Sequence, residues 1–200
     1  MMKVVSICLC LFFMFTTIDV NSQAYLDDDN PWILGFGLNV IYDSGEGING
    51  VFDVKDNYNY SNPFRIVIEK RFKNDYGFEV AGSFNRFLEG KNVNGSIARE
   101  DTNFFGIEGM FKYYLTNLYL NKYRAMYEGY MSSGVGVGFY NGEMATTANV
   151  GIGVNYYITE SLRLNGQVTG NFSVDNSKVG SNYIQYNLGF IIRLKDDDFN

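Results

Sequence analysis

The chain has 200 residues, a formal net charge of −6 and no histidine. Its length fits one ordinary domain, and an acidic balance without a run of Lys and Arg argues against nucleic acid as a partner. The absence of histidine excludes His-assisted serine or cysteine nucleophiles, imidazole metal ligands and a histidine switch near neutral pH.

The first residues predict a secretory signal peptide. MMK is followed by an apolar run from Val4 to Phe15 and then by DVNSQA, in which Ser22 and Ala24 are placed as at a signal-peptidase site. A helix that crosses a bilayer needs about 20 apolar residues, so this run is too short to span one. We expect removal of residues 1–24, which takes away both cysteines of the chain and leaves no disulfide in the mature protein.

Residues 25–31 form a short acidic lead, after which the sequence alternates between apolar and small or polar side chains in segments of about ten residues. A repeat of two residues is typical of a β-strand, whose successive side chains point to opposite faces. Outside the signal peptide, no segment shows helical spacing. The eight predicted strands are 32–42, 64–71, 78–85, 104–115, 127–139, 148–158, 162–174 and 184–194.

The dipeptide Asn141-Gly142 predicts a tight hairpin between the fifth and sixth strands. Both central positions of a type I′ turn need a positive φ, which Asn and Gly tolerate best. Closing the hairpin there makes residues of like character face each other. The predicted pairs are Gly138 with Ala145, Gly136 with Thr147, Gly134 with Asn149, and Glu128 with Asn155.

The connections between the strands are of two kinds. Long polar connections follow the first, third and seventh strands, and the Asn-Gly turn follows the fifth, so all four fall at one end of a meander. The other end carries short turns and the connection TNLYLNKYR. The long connections are 43–62, 89–101 and 175–182, and the short turns are 73–75 and 159–161.

The composition of the two strand faces predicts which one lies inside. One face is mainly Gly, Asn, Ser, Ala and Gln with isolated charges, which suits the narrow lumen of an eight-stranded barrel. The other face is apolar and suits lipid, and about ten tilted residues rise about 25 Å, the height of the apolar band of such barrels. We predict an all-β fold, an eight-stranded antiparallel up-and-down transmembrane β-barrel spanning 32–194. Tyrosines that end the apolar face and would form aromatic girdles are Tyr42, Tyr113, Tyr127 and Tyr156.

The chain resembles the small outer-membrane β-barrels of OmpA type over nearly the whole mature sequence. The resemblance is carried by SSGVGVGFY, by ANVGIGVNYYITESLRLNGQVTG and by the last strand, YIQYNLGFIIRL. It implies an interior filled by charged side chains rather than an open pore. Residues 195–200 form an acidic tail where full-length OmpA proteins continue into a peptidoglycan-binding domain, which we expect to be missing here. Leu194 stands where many barrels have a terminal aromatic residue.

Ionisable residues occur on the face that is predicted to line the lumen. Unpaired charges in a narrow interior are costly, so we expect these residues to pair with one another. Glu108 and Glu128 lie on neighbouring strands and are placed to bracket Arg163 or Lys112. The predicted network consists of Arg65, Glu69, Arg71, Glu79, Glu108, Lys112, Glu128, Arg163 and Arg193.

The stretch GVGVGFY raises the question of a phosphate-binding glycine loop. The glycines continue a strand into a hairpin, and no helix follows whose N-terminus would hold an anion, so that interpretation fails. We predict instead a side-chain-free strip on the lumen wall, with room for Arg65, Arg71 or Phe104 from the opposite wall. The strip comprises Gly134, Gly136, Gly138, Gly151 and Gly153.

The connection 43–62 is a candidate recognition loop, because exposed aromatic residues on a loop above a rigid scaffold commonly bind partners. The alternative is that its aromatic residues pack on the barrel rim. The candidate residues are Val51, Phe52, Tyr58 and Tyr60.

No catalytic site, cofactor or metal is predicted, because the paired carboxylates lack a nucleophile and a substrate pocket. We expect a non-enzymatic barrel in the outer membrane of a Gram-negative bacterium, surrounded by lipid. It would act as a structural scaffold or as an accessory subunit of a larger envelope, secretion or transport complex. Two alternatives stay open: a narrow pore or carrier for small solutes, and a soluble periplasmic ligand binder of lipocalin type.

Overall fold

A computed structural model describes residues 30–43, 50–121, 125–140, 142–174 and 182–194. Within them, eight antiparallel strands close into a barrel, because the last strand pairs with the first. The predicted signal peptide and the acidic tail lie outside these residues. The strands are β1 Trp32–Tyr42, β2 Ser61–Phe72, β3 Tyr76–Phe87, β4 Thr102–Tyr113, β5 Tyr127–Tyr140, β6 Glu143–Tyr157, β7 Leu162–Ser173 and β8 Tyr183–Leu194.

The eight predicted strands are confirmed, and most extend a little further than the alternation indicated. By contrast, β4 ends two residues earlier than predicted, at Tyr113, because Leu115–Leu118 form a turn of 3-10 helix, and β6 and β7 each end one residue earlier. Elements of two to four residues are too short to show a period and were missed. No helix among the described residues is both long enough and apolar enough to cross a bilayer. The missed elements are helix α1, Val54–Asn57, and the strands Tyr58–Asn59, Asn92–Val93 and Ser96–Ile97.

The hairpin of β5 and β6 has the predicted register. Gly142 has a φ of 77°, the left-handed conformation that the turn needs, while Asn141 lies outside the described residues. Facing residues of an antiparallel pair share one side of the sheet, so this register assigns the inner and outer faces of both strands together. The pairs are Gly138 with Ala145, Gly136 with Thr147, Gly134 with Asn149, and Glu128 with Asn155.

The strand directions sort the connections into two ends of the barrel. At the turn end, β2 leads into β3 through residues 73–75, and β6 leads into β7 through residues 158–161. At the opposite, loop end lie α1 and a hairpin formed by Asn92–Val93 and Ser96–Ile97. We call residues 90–98 the mouth hairpin.

The barrel is polar inside and apolar outside. On β1, Asn39 is buried whereas its neighbour Leu38 is exposed, and on β6 Asn155 is buried whereas Val154 is exposed. Arg71 is the largest fully buried side chain among the described residues. An apolar exterior around a polar interior is the arrangement of a barrel that faces lipid.

One of the predicted girdle tyrosines is covered. Tyr42 is buried, because the ring of Tyr58 packs against it with ring centroids 5.1 Å apart. Tyr58 belongs to the connection that follows β1, so the alternation along β1 could not reveal this contact. Tyr127 lies exposed on the outer face at the turn end, and Tyr113 and Tyr156 are half-buried there.

Replacing Gly134 with alanine should destabilise the barrel by about 1 to 3 kcal/mol. A methyl group at this position would lie 2.9 Å from the carbonyl carbon of Gly109 and from the Cα of Met110, so β4 and β5 would have to separate. Urea unfolding of the refolded protein would measure the loss. Gly109→Ala is the matched control, because its methyl group would meet only the ring of Phe78, at 3.8 Å. Equal losses in the two variants would contradict this expectation.

Candidate functional site: a charged network in the lumen

The structure places the nine ionisable residues of the predicted network inside the barrel, where each is at most 7% exposed. They come from β2, β3, β4, β5, β7 and β8, and so approach one another from around the wall. The residues are Arg65, Glu69, Arg71, Glu79, Glu108, Lys112, Glu128, Arg163 and Arg193.

Arg65 is the centre of the half of the network that lies nearer the loop end. Its Nη1 donates to Glu108 Oε2 at 2.8 Å, and its Nη2 donates to Glu79 Oε1 at 3.0 Å. Lys112 continues the chain of charges, because its Nζ pairs with Glu79 and, at 3.0 Å, with Glu69 Oε2.

Arg71 is the centre of the half nearer the turn end. Its Nε donates to Glu69 Oε1 at 2.7 Å and its Nη2 to Glu128 Oε2 at 2.6 Å. The same Glu128 oxygen accepts from Arg163 Nη1 at 2.5 Å and from Asn155 Nδ2 at 3.0 Å. Since β2 and β5 are not neighbours in the sheet, the Arg71–Glu128 pair crosses the lumen.

These contacts join eight of the nine residues, four cations and four carboxylates, so the charges of this ion-paired group sum to zero. The ninth residue, Arg193, is buried at the end of β8. Every charge of the ion-paired group has a partner of opposite sign within hydrogen-bonding distance, which offsets the large cost of removing it from water. No group of three or more His, Cys, Asp or Glu side chains in the described part of the chain is arranged to hold a metal ion. In order of contact, the network runs Glu108, Arg65, Glu79, Lys112, Glu69, Arg71, Glu128, Arg163.

Only part of the expected pairing is formed. Glu128 contacts Arg163, whereas Glu108 contacts Arg65 and neither of the two cations expected for it. The reason lies in the strand between them: on β3, Ala81 faces Glu108 and Ser83 faces Arg65. These short side chains let the long Arg65 reach across β3 to the carboxylate.

Three buried tyrosines complete the network, and none of them was named among the predicted lumen residues. The Tyr114 hydroxyl donates to Glu69 Oε1 at 2.6 Å, and its ring lies 3.4 Å from the guanidinium carbon of Arg71. Tyr130 and Tyr157 lie beneath Lys112 and Arg163 in the same way. Tyr130 and Tyr157 occupy positions that alternate to the inner face of their strands, and this alternation was the signal that could have identified them. Burial raises the pKa of Tyr114, which follows β4, well above its usual value and keeps its hydroxyl a donor.

Tyr114→Phe should lower the free energy of unfolding by about 1.5 to 3 kcal/mol, because it removes a hydrogen bond to a buried carboxylate. The measurement is urea unfolding followed by gel mobility or fluorescence. Tyr113→Phe is the matched control, because Tyr113 lies on the outer face and stacks on Tyr76 with ring centroids 5.2 Å apart. A Tyr114 variant as stable as the Tyr113 variant would show that Glu69 does not depend on this hydroxyl.

The glycine strip lies on the lumen wall and receives Phe104, one of the three side chains expected there, together with Tyr130, which was not expected. The ring of Tyr130 occupies the space beside Gly153, and the ring of Phe104 lies 3.2 Å from the position of a Cβ on Gly138. Both rings belong to neighbouring strands rather than to the opposite wall. The arginines expected there, Arg65 and Arg71, are engaged in the network instead.

The candidate recognition loop is half packed and half exposed. Tyr58 donates to the Val51 carbonyl at 2.7 Å and packs between Tyr42 and Tyr186. Phe52, by contrast, is 95% exposed. Tyr60 is also exposed, and Lys91 of the mouth hairpin lies 5.1 Å from its ring centroid.

The lumen nearer the loop end is lined by uncharged polar side chains. Asn85 Nδ2 donates to the backbone carbonyls of Asn39 and Asn59, each at 3.0 Å. Both amide atoms of the Asn39 side chain and the Thr169 hydroxyl have no hydrogen-bond partner among the described protein atoms. The charges are therefore concentrated towards the turn end, and neutral polar groups lie above them.

Neither a protein-family model nor a curated protein sequence matches the chain. Solved structures do match in fold. Neisserial surface protein A (NspA) has a TM-score of 0.55 and 13% identity over 84% of this chain and 98% of that one. The outer membrane protein OprG from Pseudomonas aeruginosa has a TM-score of 0.55 and 12% identity over 87% and 99%.

The N-terminal β-barrel domain of OprF, also from Pseudomonas aeruginosa, has a TM-score of 0.51 and 13% identity over 84% of this chain and 98% of that domain. At such low identity the likeness concerns the fold alone. The fold of this chain is that of the small eight-stranded outer-membrane β-barrels.

Proposed function

We propose that this protein is a non-enzymatic β-barrel of the outer membrane of a Gram-negative bacterium, where it acts as a structural scaffold or an accessory subunit of a larger envelope complex. The observation that carries the proposal is the network of paired charges that crosses the lumen towards the turn end. When paired side chains occupy the interior, the outer wall and the connections are the surfaces that remain for contact with other molecules.

The outer wall supports a location in the membrane. Leu38, Val135 and Ile152 are exposed on it, while the nine charged residues of the predicted lumen network are buried. This distribution is the reverse of that in a soluble barrel, so it argues against a lipocalin-like periplasmic binder. A closed barrel also pairs every strand edge, as lipid requires. Recovery of a soluble periplasmic monomer from fractionated cells would contradict the membrane location.

Two exposed apolar sites are available for a partner, one at each end of the barrel. Phe52 projects at the loop end, and Leu118 and Tyr119 project from the 3-10 turn at the turn end. Exposed aromatic side chains are common anchors of protein interfaces. The subunit role would use one of these two ends.

The test is purification of the tagged barrel at native abundance in a mild detergent. We expect a stoichiometric partner that is lost in Phe52→Ser or in Tyr119→Ser but not in both, because each variant removes an anchor at only one end. Heat-modifiable gel mobility verifies that each variant is folded. Recovery of the barrel alone would contradict the subunit role.

The second candidate is a narrow pore, which the neutral polar lining near the loop end favours. In this case the network of Glu108 and Arg163 would be a removable plug. Planar-bilayer recordings distinguish the two roles: steady conductance that rises in Glu108→Ala or Arg163→Ala supports the pore. A silent wild type and silent variants support the scaffold.

A further inference from the structure

Apolar side chains are exposed at the loop end, on the connections rather than on the barrel wall. Phe52 projects almost fully from the connection after β1, and Val54 follows it at the start of α1. Ile97 is exposed on the mouth hairpin, which lies in the connection after β3. Exposed apolar groups that lie close together indicate a surface that another molecule covers.

A cavity of about 300 Å³ lies at the same end, between the barrel wall and the mouth hairpin. We call it the mouth cavity. Phe87 and Phe104 line it with rings whose centroids are 5.5 Å apart, and Val93 and Ala98 line it from the mouth hairpin. A cavity of about 150 Å³ is enough to hold a benzene ring. The mouth cavity therefore has room for an aromatic side chain, and its two rings favour one.

The projecting ring and the cavity lie beside each other. Phe52 comes two residues before α1, and Asn57 at the end of α1 accepts a hydrogen bond of 2.6 Å from Asn92 of the mouth hairpin. Lys91 of the mouth hairpin also donates to the Lys55 carbonyl. Because Phe52 is almost fully exposed, it does not occupy the cavity of its own chain. One surface thus carries both a ring and a cavity for a ring, so two copies related by a twofold axis complement each other.

The charges beside the ring and the cavity are opposite in sign. Asp53 and Asp56 follow Phe52 with Lys55 between them, and all three side chains are exposed, so this segment is acidic. Among the residues that line the mouth cavity, Arg99 is the one that is both charged and exposed. When the ring of one copy enters the cavity of another, its acidic segment approaches Arg99 of that copy. Opposite charges across an interface favour the correct orientation of the partners.

We propose that two copies of this protein associate through their loop ends, with Phe52 of each copy inserted into the mouth cavity of the other. The two contacts are equivalent, as in any dimer with twofold symmetry. This inference goes beyond the proposed function, because the scaffold and subunit roles require no second copy of the chain.

The test is sedimentation equilibrium of the purified full barrel in detergent, where no other protein is present. We expect a dimer that Phe52→Ser weakens about tenfold or more, because an aromatic anchor in a pocket contributes a large share of the binding energy. Arg99→Glu brings like charges together and should weaken the dimer about fivefold. Tyr119→Ser is the matched control: it removes an exposed aromatic side chain at the turn end and should associate as wild type does.

A mixture of two variants tests the contact between ring and cavity directly. Ala98→Trp fills the cavity and keeps Phe52, whereas Phe52→Ser keeps the cavity open. Each variant alone loses both contacts, but a mixed pair forms one of them, so the mixture should associate about fivefold more tightly than either variant alone. Heat-modifiable gel mobility verifies that each variant is folded. If Ala98→Trp does not assemble, Ser96→Trp fills the cavity from an exposed position of the mouth hairpin.

Three results would overturn the proposal. The first is a wild-type barrel that sediments as a monomer at every concentration measured. The second is a Phe52→Ser variant that associates as tightly as wild type, and the third is a mixture that associates no more tightly than its components. Since the experiment contains this protein alone, its failure leaves the search for a different subunit in native membranes unaffected, and failure of that search leaves self-association unaffected.

Discussion

Replacing Arg71 with alanine lowers the free energy of unfolding by about 3 to 5 kcal/mol, the largest loss expected from a single substitution in the lumen. Among the described residues, Arg71 is the cation that pairs with both Glu69 and Glu128. Its Nε lies 2.7 Å from Glu69 Oε1, and its Nη2 lies 2.6 Å from Glu128 Oε2. Without Arg71, both carboxylates stay buried but lose one of the cations that offset the cost of removing them from water. Urea unfolding of the refolded barrel, or the temperature at which its gel mobility changes, measures the loss.

The matched control for this prediction is Arg86→Ala, which removes the same side chain from an exposed ion pair. Arg86 contacts Asp101 at 3.1 Å, and the two side chains are 43% and 39% exposed. Exposed pairs contribute at most about 1 kcal/mol, because water solvates the partners when the pair is broken. If the two variants lose similar amounts of stability, the lumen is wet enough to screen its charges.

Val150→Arg is expected to destabilise the protein by about 2 to 4 kcal/mol in lipid, because it places a charge near the middle of the apolar wall. Val150 lies on the outer face of β6, midway between Met144 and Tyr156, and is 53% exposed. The same substitution on a soluble barrel would put the charge in water at almost no cost. Unfolding of the variant in nanodiscs therefore tests which solvent surrounds the wall.

Two controls isolate the effect of the charge at that depth. Val150→Met enlarges the side chain without adding charge and should be nearly neutral. Phe52→Arg introduces the same charge at the loop end, where residue 52 is exposed above the barrel, and should also be nearly neutral. A Val150→Arg variant as stable as both controls would contradict the membrane location.

The architecture could be predicted because it follows from local features of the sequence. The alternation of side chains defines the strands, and the Asn141-Gly142 dipeptide sets the register of β5 and β6. With that register, the opposing glycines and asparagines fall on one face, and Val137 and Ile152 fall on the other. The composition of the two strand faces was then enough to predict which face lines the lumen.

The partners within the lumen could not be predicted in the same way. Parity assigns Arg71 and Glu128 to the interior, but their contact crosses from β2 to β5, and no local pattern encodes a pair across the lumen. The length of an arginine side chain adds to the difficulty, as Arg65 reaches past Ser83 to Glu108. The ring that covers Tyr42 belongs to the connection after β1. The alternation of side chains along a strand does not predict the path of a connection.

The distribution of the charged network around the barrel has a consequence for assembly. Arg71 comes from β2, Glu128 from β5 and Arg163 from β7, so a partly formed sheet that lacks one of these strands holds buried charges without partners. Such an intermediate is costly in lipid, where each unmatched charge adds kilocalories to its free energy. All of these charges are paired only when the sheet has closed into a barrel. We therefore expect insertion and closure to occur together, without a stable, partly closed intermediate.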